Sequence, residues 1–449
     1  MKKMRRFLAI ALTLAMVLSL AACGGSKKEE TTTTEGGDAQ ESTADSTGIT
    51  LWTYPIGGWG DENAVKELTD AFEADTGIKV TVEYLAYADG DDKVNAAITA
   101  GKAPDLIMEG PERLVANWGA KGYMVDLADM LDDTDKAEIQ ESVLNACTNA
   151  DGAVYEYPLV MTAHCMAINK NAFEEAGALQ YLDLESHTWT TENFIKAVEA
   201  LYACYGETVG AVYCAGQGGD QGTRALINNM YGGTFTNAEH TAYTWDDAAN
   251  IKALEQLKSM DGIEFDASLA GGDEIVKFDQ GILKMAFCWN IAQQLNPNSA
   301  DTGAEKTITG DDIVFMSFPS ETGESKLCGG IWGFGIFDNG DDARVDAAKQ
   351  FIKYMCDSEH TAEAVKTANY FAVRDTAEGA DLSGIWADNE IMAEYTKLMP
   401  YLGDYYQVTA GWAQARTSWW NMLQDIGEGA DVAATVTTFM DEANAAAAG

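Results

Sequence analysis

Between residues 50 and 118 the apolar pattern switches repeatedly between a period of two and a period near four. This alternation constrains the fold more than any other feature of the chain. Residues 50–53 predict a short strand that runs into a Gly/Pro-rich loop, residues 55–60. Residues 63–75 then place Val65, Leu68 and Phe72 on one helical face, ending at Gly77. Ile78, Val80, Val82 and Tyr84 alternate with Lys79, Thr81 and Glu83, as in a half-buried strand. A second helix carries Val94, Ala97 and Ile98 and stops at Gly101; residues 105–108 form the next strand. Leu114, Val115 and Trp118 mark a further helix. The β-α-β-α-β order implies a parallel sheet covered by helices, an α/β architecture.

Later segments repeat the pattern. Phe194, Ile195, Val198, Leu201 and Tyr202 form one helical stripe, and Ile251, Leu254 and Leu257 another. Residues 282–287 and 313–316 read as strands. At 449 residues the chain has room for two or three domains. Acidic residues outnumber basic ones 71 to 29, a formal net charge of −42. Such a chain repels phosphate backbones, which argues against nucleic-acid binding. It also repels anionic bilayer surfaces, so membrane attachment has to be covalent or inserted. The four histidines, His164, His187, His240 and His360, offer no helical metal pair. The sequence indicates neither a metal nor a cofactor.

The first residues set the address. Lys2, Lys3, Arg5 and Arg6 precede an apolar run, residues 7–20, too short to span a bilayer comfortably. Leu20-Ala21-Ala22-Cys23-Gly24 then resembles the lipobox of bacterial lipoproteins, which implies removal of residues 1–22 and lipid on the thiol of Cys23. Residues 24–47 contain no aromatic or large aliphatic side chain and read, with Cys23, as a lipidated tether. The seven other cysteines lack CxxC spacing and lie in apolar segments, so buried free thiols are expected.

Four segments, in order, resemble the family 1 extracellular solute-binding proteins of ABC importers, which include maltodextrin-binding protein. They are Gly101-Lys102-Ala103-Pro104-Asp105-Leu106-Ile107, and Tyr155-Glu156-Tyr157-Pro158-Leu159 with Ile168-Asn169-Lys170 and Phe173. The others are residues 278–286 (FDQGILKMA) and Gly329-Gly330-Ile331-Trp332-Gly333 after Phe318-Pro319. Two positions depart from the family pattern. Ile282 replaces a lysine, and residues 368–374 lack the usual Gly and Pro. The resemblance implies a two-lobe periplasmic-binding-protein-like fold, with three interlobe crossings and a ligand cleft. The crossings are expected near residues 157–162, 316–319 and 370–374. The N-terminal lobe would hold residues 48–158 plus 319–371, and the C-terminal lobe residues 159–318 plus 372–449. The implied partners are a small-molecule solute, most simply a carbohydrate, and the transmembrane subunits of an ABC permease. The protein would act as a monomer on the outer face of the bacterial cell membrane, held there by its lipid alone.

A sugar site needs aromatic platforms and planar polar groups. Tyr54 and Trp59 lie in or beside the glycine-rich loop after the first strand. Glu109 ends the third strand and Arg113 follows one turn later, where a surface ion pair is the plainer alternative. His164 comes just after the first crossing. Asp220 and Arg224 belong to GQGGDQGTR, which lacks the GK[ST] ending of a nucleotide-binding loop. The resemblance puts an aromatic platform at Trp289. Trp332 lies between glycines, and Arg374 and Trp412 lie at or beyond the third crossing. Convergent Arg113, Arg224 and Arg374 would instead suit an anionic solute such as a glycerophosphate. Paired carboxylates would suit a secreted glycosidase. The resemblance favours binding over catalysis.

Overall fold

A computed structural model describes residues 48–448 apart from 88, 217–219, 296–305 and 378–379. The signal segment, Cys23, the tether and part of the GQGGDQGTR stretch lie outside the described residues.

β1 (Ile49–Thr53) buries Ile49, Leu51 and Thr53 and leaves the residues between them half-buried, the alternation expected of a strand. Asp61 accepts from the N–H groups of Asn63 and Ala64 and so starts α1 (Glu62–Thr76). Val65, Leu68 and Phe72 point from it into the core. β2 (Val80–Tyr84), α2 (Gly90–Thr99) and β3 (Leu106–Glu109) complete the unit. β1 lies between β2 and β3 and parallel to both. The helix expected around Leu114 is a wide π-type segment, Leu114–Gly119, entered from a short turn, Pro111–Arg113.

β4 (Tyr157–Ala163) joins the same sheet, whereas β5 (Cys165–Asn169) opens a second one. His164 stands between these two sheets. α3 (Thr191–Tyr205), β6 (Gly210–Tyr213), α4 (Asp220–Tyr231), β7 (Ile263–Asp266), β8 (Met285–Trp289) and β9 (Ile313–Met316) build the second lobe. Within it β8, β5 and β9 are antiparallel, while β6 pairs with β7 in parallel. The Val209 carbonyl joins the two groups by accepting from Lys284 and Met285 N–H at 2.8 and 3.2 Å. β8 starts later than the sequence pattern implied, because the Lys277 carbonyl holds the N–H groups of Ile282 and Leu283 in a helix-end turn.

Residues 317–328 lead back to β10 (Gly329–Ile336). β10 inserts antiparallel between β3 and β4, which makes the six-stranded sheet mixed rather than all parallel. α5 (Asp342–Cys356) and α6 (Thr361–Ala368) cover this lobe, and β11 (Phe371–Ala372) pairs with β4. The chain has returned to the second lobe by α7 (Glu390–Thr396), where Glu394 meets His187 at 3.0 Å. α8 (Trp412–Gly427) and α9 (Val432–Ala448) then pack there as a pair. The result is two α/β lobes with three crossings. The first two run side by side, with His164 N–H donating to the Cys328 carbonyl at 2.8 Å. Six of the seven cysteines are buried free thiols, and Cys204 is exposed.

Candidate functional site

In a parallel β-α-β unit the strand ends and the following loops converge on one edge of the sheet, where ligands bind. Here that edge carries Tyr54 after β1, Tyr87 after β2, and Glu109 to Arg113 after β3. The Tyr54 and Tyr87 rings stack at 5.1 Å with 26° between their planes. The Arg113 guanidinium lies over both, 5.2 and 5.7 Å from their centroids. Arg113 bonds Asp91 and Glu109, each at 2.7 Å, with Glu112 at 3.6 Å. Tyr54 donates its hydroxyl to Asp91 at 2.5 Å. Burial pushes the Glu109 carboxyl up to about 8, against the pull of Arg113. One cation is thus shared among three carboxyls, and the side chain of Arg113 is held rigidly.

A second aromatic pair continues this wall. Trp332 of β10 stacks on Tyr370 at 4.8 Å and 16°, and both remain half-buried. The indole folds back over Gly330, where an added Cβ would sit 2.1 Å from the ring. Only glycine leaves room for that placement. Opposite, Tyr405 donates to Glu112 at 2.8 Å, linking this edge to the segment that leads into α8.

The second lobe presents a different centre. Asp220, the first residue of α4, binds Arg224 and takes both Nε and Nη2 of Arg416, at 2.9 and 2.6 Å. Burial alone would raise the Asp220 carboxyl, but the two guanidiniums outweigh it and hold it at about 2. Arg224 is fully buried and donates to the Tyr406 hydroxyl at 3.1 Å. Trp412 and Trp419 flank it at 4.9 and 5.5 Å, a cation–π arrangement. Burial, reinforced by Arg224, lowers His164 to about 4 and keeps its imidazole neutral near pH 7. Around the crossings, Thr162 Oγ1, His164 Nδ1, Arg224 Nη2 and Thr409 Oγ1 are buried without a hydrogen-bond partner. Buried polar atoms are seldom left so, and a hydroxyl-bearing ligand would satisfy them.

The family profile of the bacterial extracellular solute-binding proteins matches residues 67–394. The chain belongs to that family. Among curated relatives, a maltooligosaccharide ABC transporter solute-binding lipoprotein of Streptococcus pneumoniae is 28% identical over 127 residues, 28% of this chain and 29% of that one. A diacetylchitobiose binding protein of Streptomyces coelicolor is 29% identical over 180 residues, 39% of each chain. The matches therefore span well under half the length of these relatives. Among solved structures, the cyclic α-maltosyl-1,6-maltose binding protein of Arthrobacter globiformis superposes with a TM-score of 0.70 at 18% identity. It covers 89% of this chain and 99% of that one.

Within this solute-binding protein the expected site residues divide into three groups. Tyr54, Glu109, Arg113 and Trp332 share one edge of the first lobe. Asp220, Arg224, His164 and Trp412 gather near the crossings. Of these, Tyr54, Glu109, Asp220 and Arg224 are themselves buried; the remaining three lie in the core away from both groups. Trp59 is fully buried, donates its indole N–H to the Ala364 carbonyl at 3.1 Å and abuts Phe334. Pro55, Gly57 and Gly60 of its loop are exposed, yet the indole turns inward, because Gly57 and Gly58 press against the backbone of Ala368 and Thr367, where a Cβ would overlap carbonyl oxygens. Trp289 is 1% exposed, donates to Gln294 at 3.0 Å and packs edge-on against Phe278. It ends β8 inside the second lobe and offers no free face. Arg374 is clamped by Asp135 and Asp357, at 2.5 and 2.7 Å, and fastens the chain after β11 to the first lobe. Sequence reasoning missed Tyr87, Glu112, Tyr370, Tyr405 and Arg416. The position of Tyr87 in the loop after β2, matching that of Tyr54 after β1, was the available signal.

Proposed function

We propose that this chain is the lipid-anchored, extracellular receptor of an ABC importer, and that it binds a carbohydrate between its lobes and releases it unchanged to the permease. The observation that carries this reading is the pair of stacked aromatics, Tyr54–Tyr87 and Trp332–Tyr370, beside the Arg113 carboxyl cluster. Tyr54 is fully buried and backs Tyr87, so the rings left to receive the weakly apolar face of a sugar are Tyr87, Trp332 and Tyr370, and the fixed charges orient its hydroxyls. The relatives that bind maltooligosaccharide and diacetylchitobiose support an oligosaccharide as the class. Tether and lipobox support the outer membrane face as the location. An anionic solute is disfavoured, because Arg113, Arg224 and Arg374 are each already paired with an aspartate, Asp91, Asp220 and Asp135. Thermal-shift screening of an oligosaccharide panel, followed by calorimetry, tests the reading: a bound sugar should raise the melting temperature by mass action. If no carbohydrate does so while an anionic solute does, the reading fails.

A further inference from the structure

The Tyr370 ring, half of the Trp332–Tyr370 stack, can be no better placed than the backbone that carries it. Tyr370 stands between Asn369, which ends α6 in the left-handed region at φ 54°, and β11, a two-residue strand at the edge of the six-stranded sheet. Carbonyls along a sheet edge need a donor from outside the sheet. For Tyr370 that donor is the indole N–H of Trp386, at 2.9 Å. Trp386 returns from an excursion of the chain, residues 373–385. The N–H groups of Leu382 and Ser383 tie that excursion to the Asp375 carbonyl, at 2.8 and 3.2 Å.

Trp386 is not part of the wall itself. It is half-buried and lines a cavity of about 220 Å³ with Met161, Phe371, Val373 and Met399. None of Tyr54, Tyr87, Arg113, Trp332 and Tyr370 lines that cavity. A group that places another has to be held itself. The Trp386 carbonyl accepts from Asn389 N–H at 2.9 Å, and the Asn389 side chain caps α7. α7 is in turn fixed by the His187–Glu394 contact and by the Tyr395 ring, 4.0 Å from that of Phe315. We propose that Trp386 is a positioning residue for ligand binding: through the Tyr370 carbonyl it holds the Tyr370 ring against Trp332. The proposal rests on the carbohydrate reading of that aromatic wall.

Two readouts on the full chain test it. In protein carrying fluorotyrosine, the fluorine signal of Tyr370 is identified by its absence from Tyr370→Phe, and the effect of the stacked indole on it by its shift in Trp332→Ala. Trp386→Phe keeps a ring but removes the N–H, and should move the Tyr370 signal toward its position in Trp332→Ala. Calorimetric titration with maltotriose and with diacetylchitobiose should show that whichever sugar the wild type takes binds about fivefold more weakly, the worth of one hydrogen bond. In a Tyr370→Ala background the same substitution should change affinity no further, whereas a general loosening of the fold would weaken binding in both backgrounds. Trp386→Leu serves if Trp386→Phe folds poorly. The proposal is overturned if the Tyr370 signal does not move, if affinity for a bound sugar is unchanged, or if the loss is as large without the Tyr370 ring as with it. If the wild type binds neither sugar, the carbohydrate reading fails, and the fluorine signal alone decides whether Trp386 places Tyr370.

Discussion

Replacing Asp220 by Asn probes the charge centre that joins α4 to α8. The wild-type carboxylate is 1% exposed and carries two guanidiniums, Arg224 and Arg416. An Asn side chain keeps the shape but leaves two positive charges around a neutral amide, whose NH2 faces donors. Removing one partner of a buried ion pair costs about 3–5 kcal/mol. The pH dependence gives a second figure. With the folded carboxyl held at about 2 and an unfolded value near 3.9, the difference is worth about 2–3 kcal/mol. Because the folded value is depressed, that stability is fully present above about pH 4 and is lost as pH falls toward 2. Urea unfolding at pH 7 and at pH 3, followed by indole fluorescence, reads both effects, since Trp412 and Trp419 lie against Arg224. The variant should be less stable by about 3–5 kcal/mol at pH 7, and the gap should narrow at pH 3. A loss under about 1 kcal/mol, the worth of an exposed pair, or a gap that does not change with pH, would refute the reasoning.

Trp59→Ala and Trp289→Ala should each cost about 3–5 kcal/mol of folding stability, measured by the same melts, because both indoles are core. Trp332→Ala should instead leave the melting temperature within a few degrees while weakening sugar binding tenfold or more, read by calorimetry. Glu274→Gln should destabilise by about 1–3 kcal/mol: both carboxyl oxygens accept backbone N–H groups, from Phe287 and Cys288 at 2.7 and 2.8 Å, and an amide can satisfy only one. Cys23→Ala should abolish lipid labelling in fractionated cells and leave the melting curve of the folded part unchanged.

The first half of the fold was legible because local periodicity and capping agree there. Val65, Leu68 and Phe72 fall on one face, and Asp61 supplies the start signal that the apolar spacing requires. What the local pattern could not carry was long-range pairing. β10 reads as a glycine-rich strand, yet nothing local states that it will insert antiparallel between β3 and β4. Trp59 shows the same gap at the level of a site. A Trp among glycines reads as exposed, but those glycines exist so that the loop can press against α6, more than 300 residues away in sequence. Trp332 has the same kind of setting with the opposite outcome, because its glycine neighbour makes room for the indole itself. Asp220 and Arg224 stand one helical turn apart and so were visible as a pair, whereas Arg416, which completes their charge balance, is distant in sequence. Tyr87 and Tyr370 acquire meaning only once the strand ends meet.

The central claim is that this solute-binding protein holds an oligosaccharide at the Tyr54–Arg113–Trp332 edge without transforming it. Isothermal titration of the full chain with maltooligosaccharides and chitooligosaccharides, followed by chromatography of the recovered sugar, tests this most directly. The account predicts saturable binding of at least one of them, loss of that binding in Arg113→Ala and Trp332→Ala with the fold intact, and recovery of the sugar at its original length. Binding that survives both substitutions, or a sugar recovered in cleaved form, would contradict it.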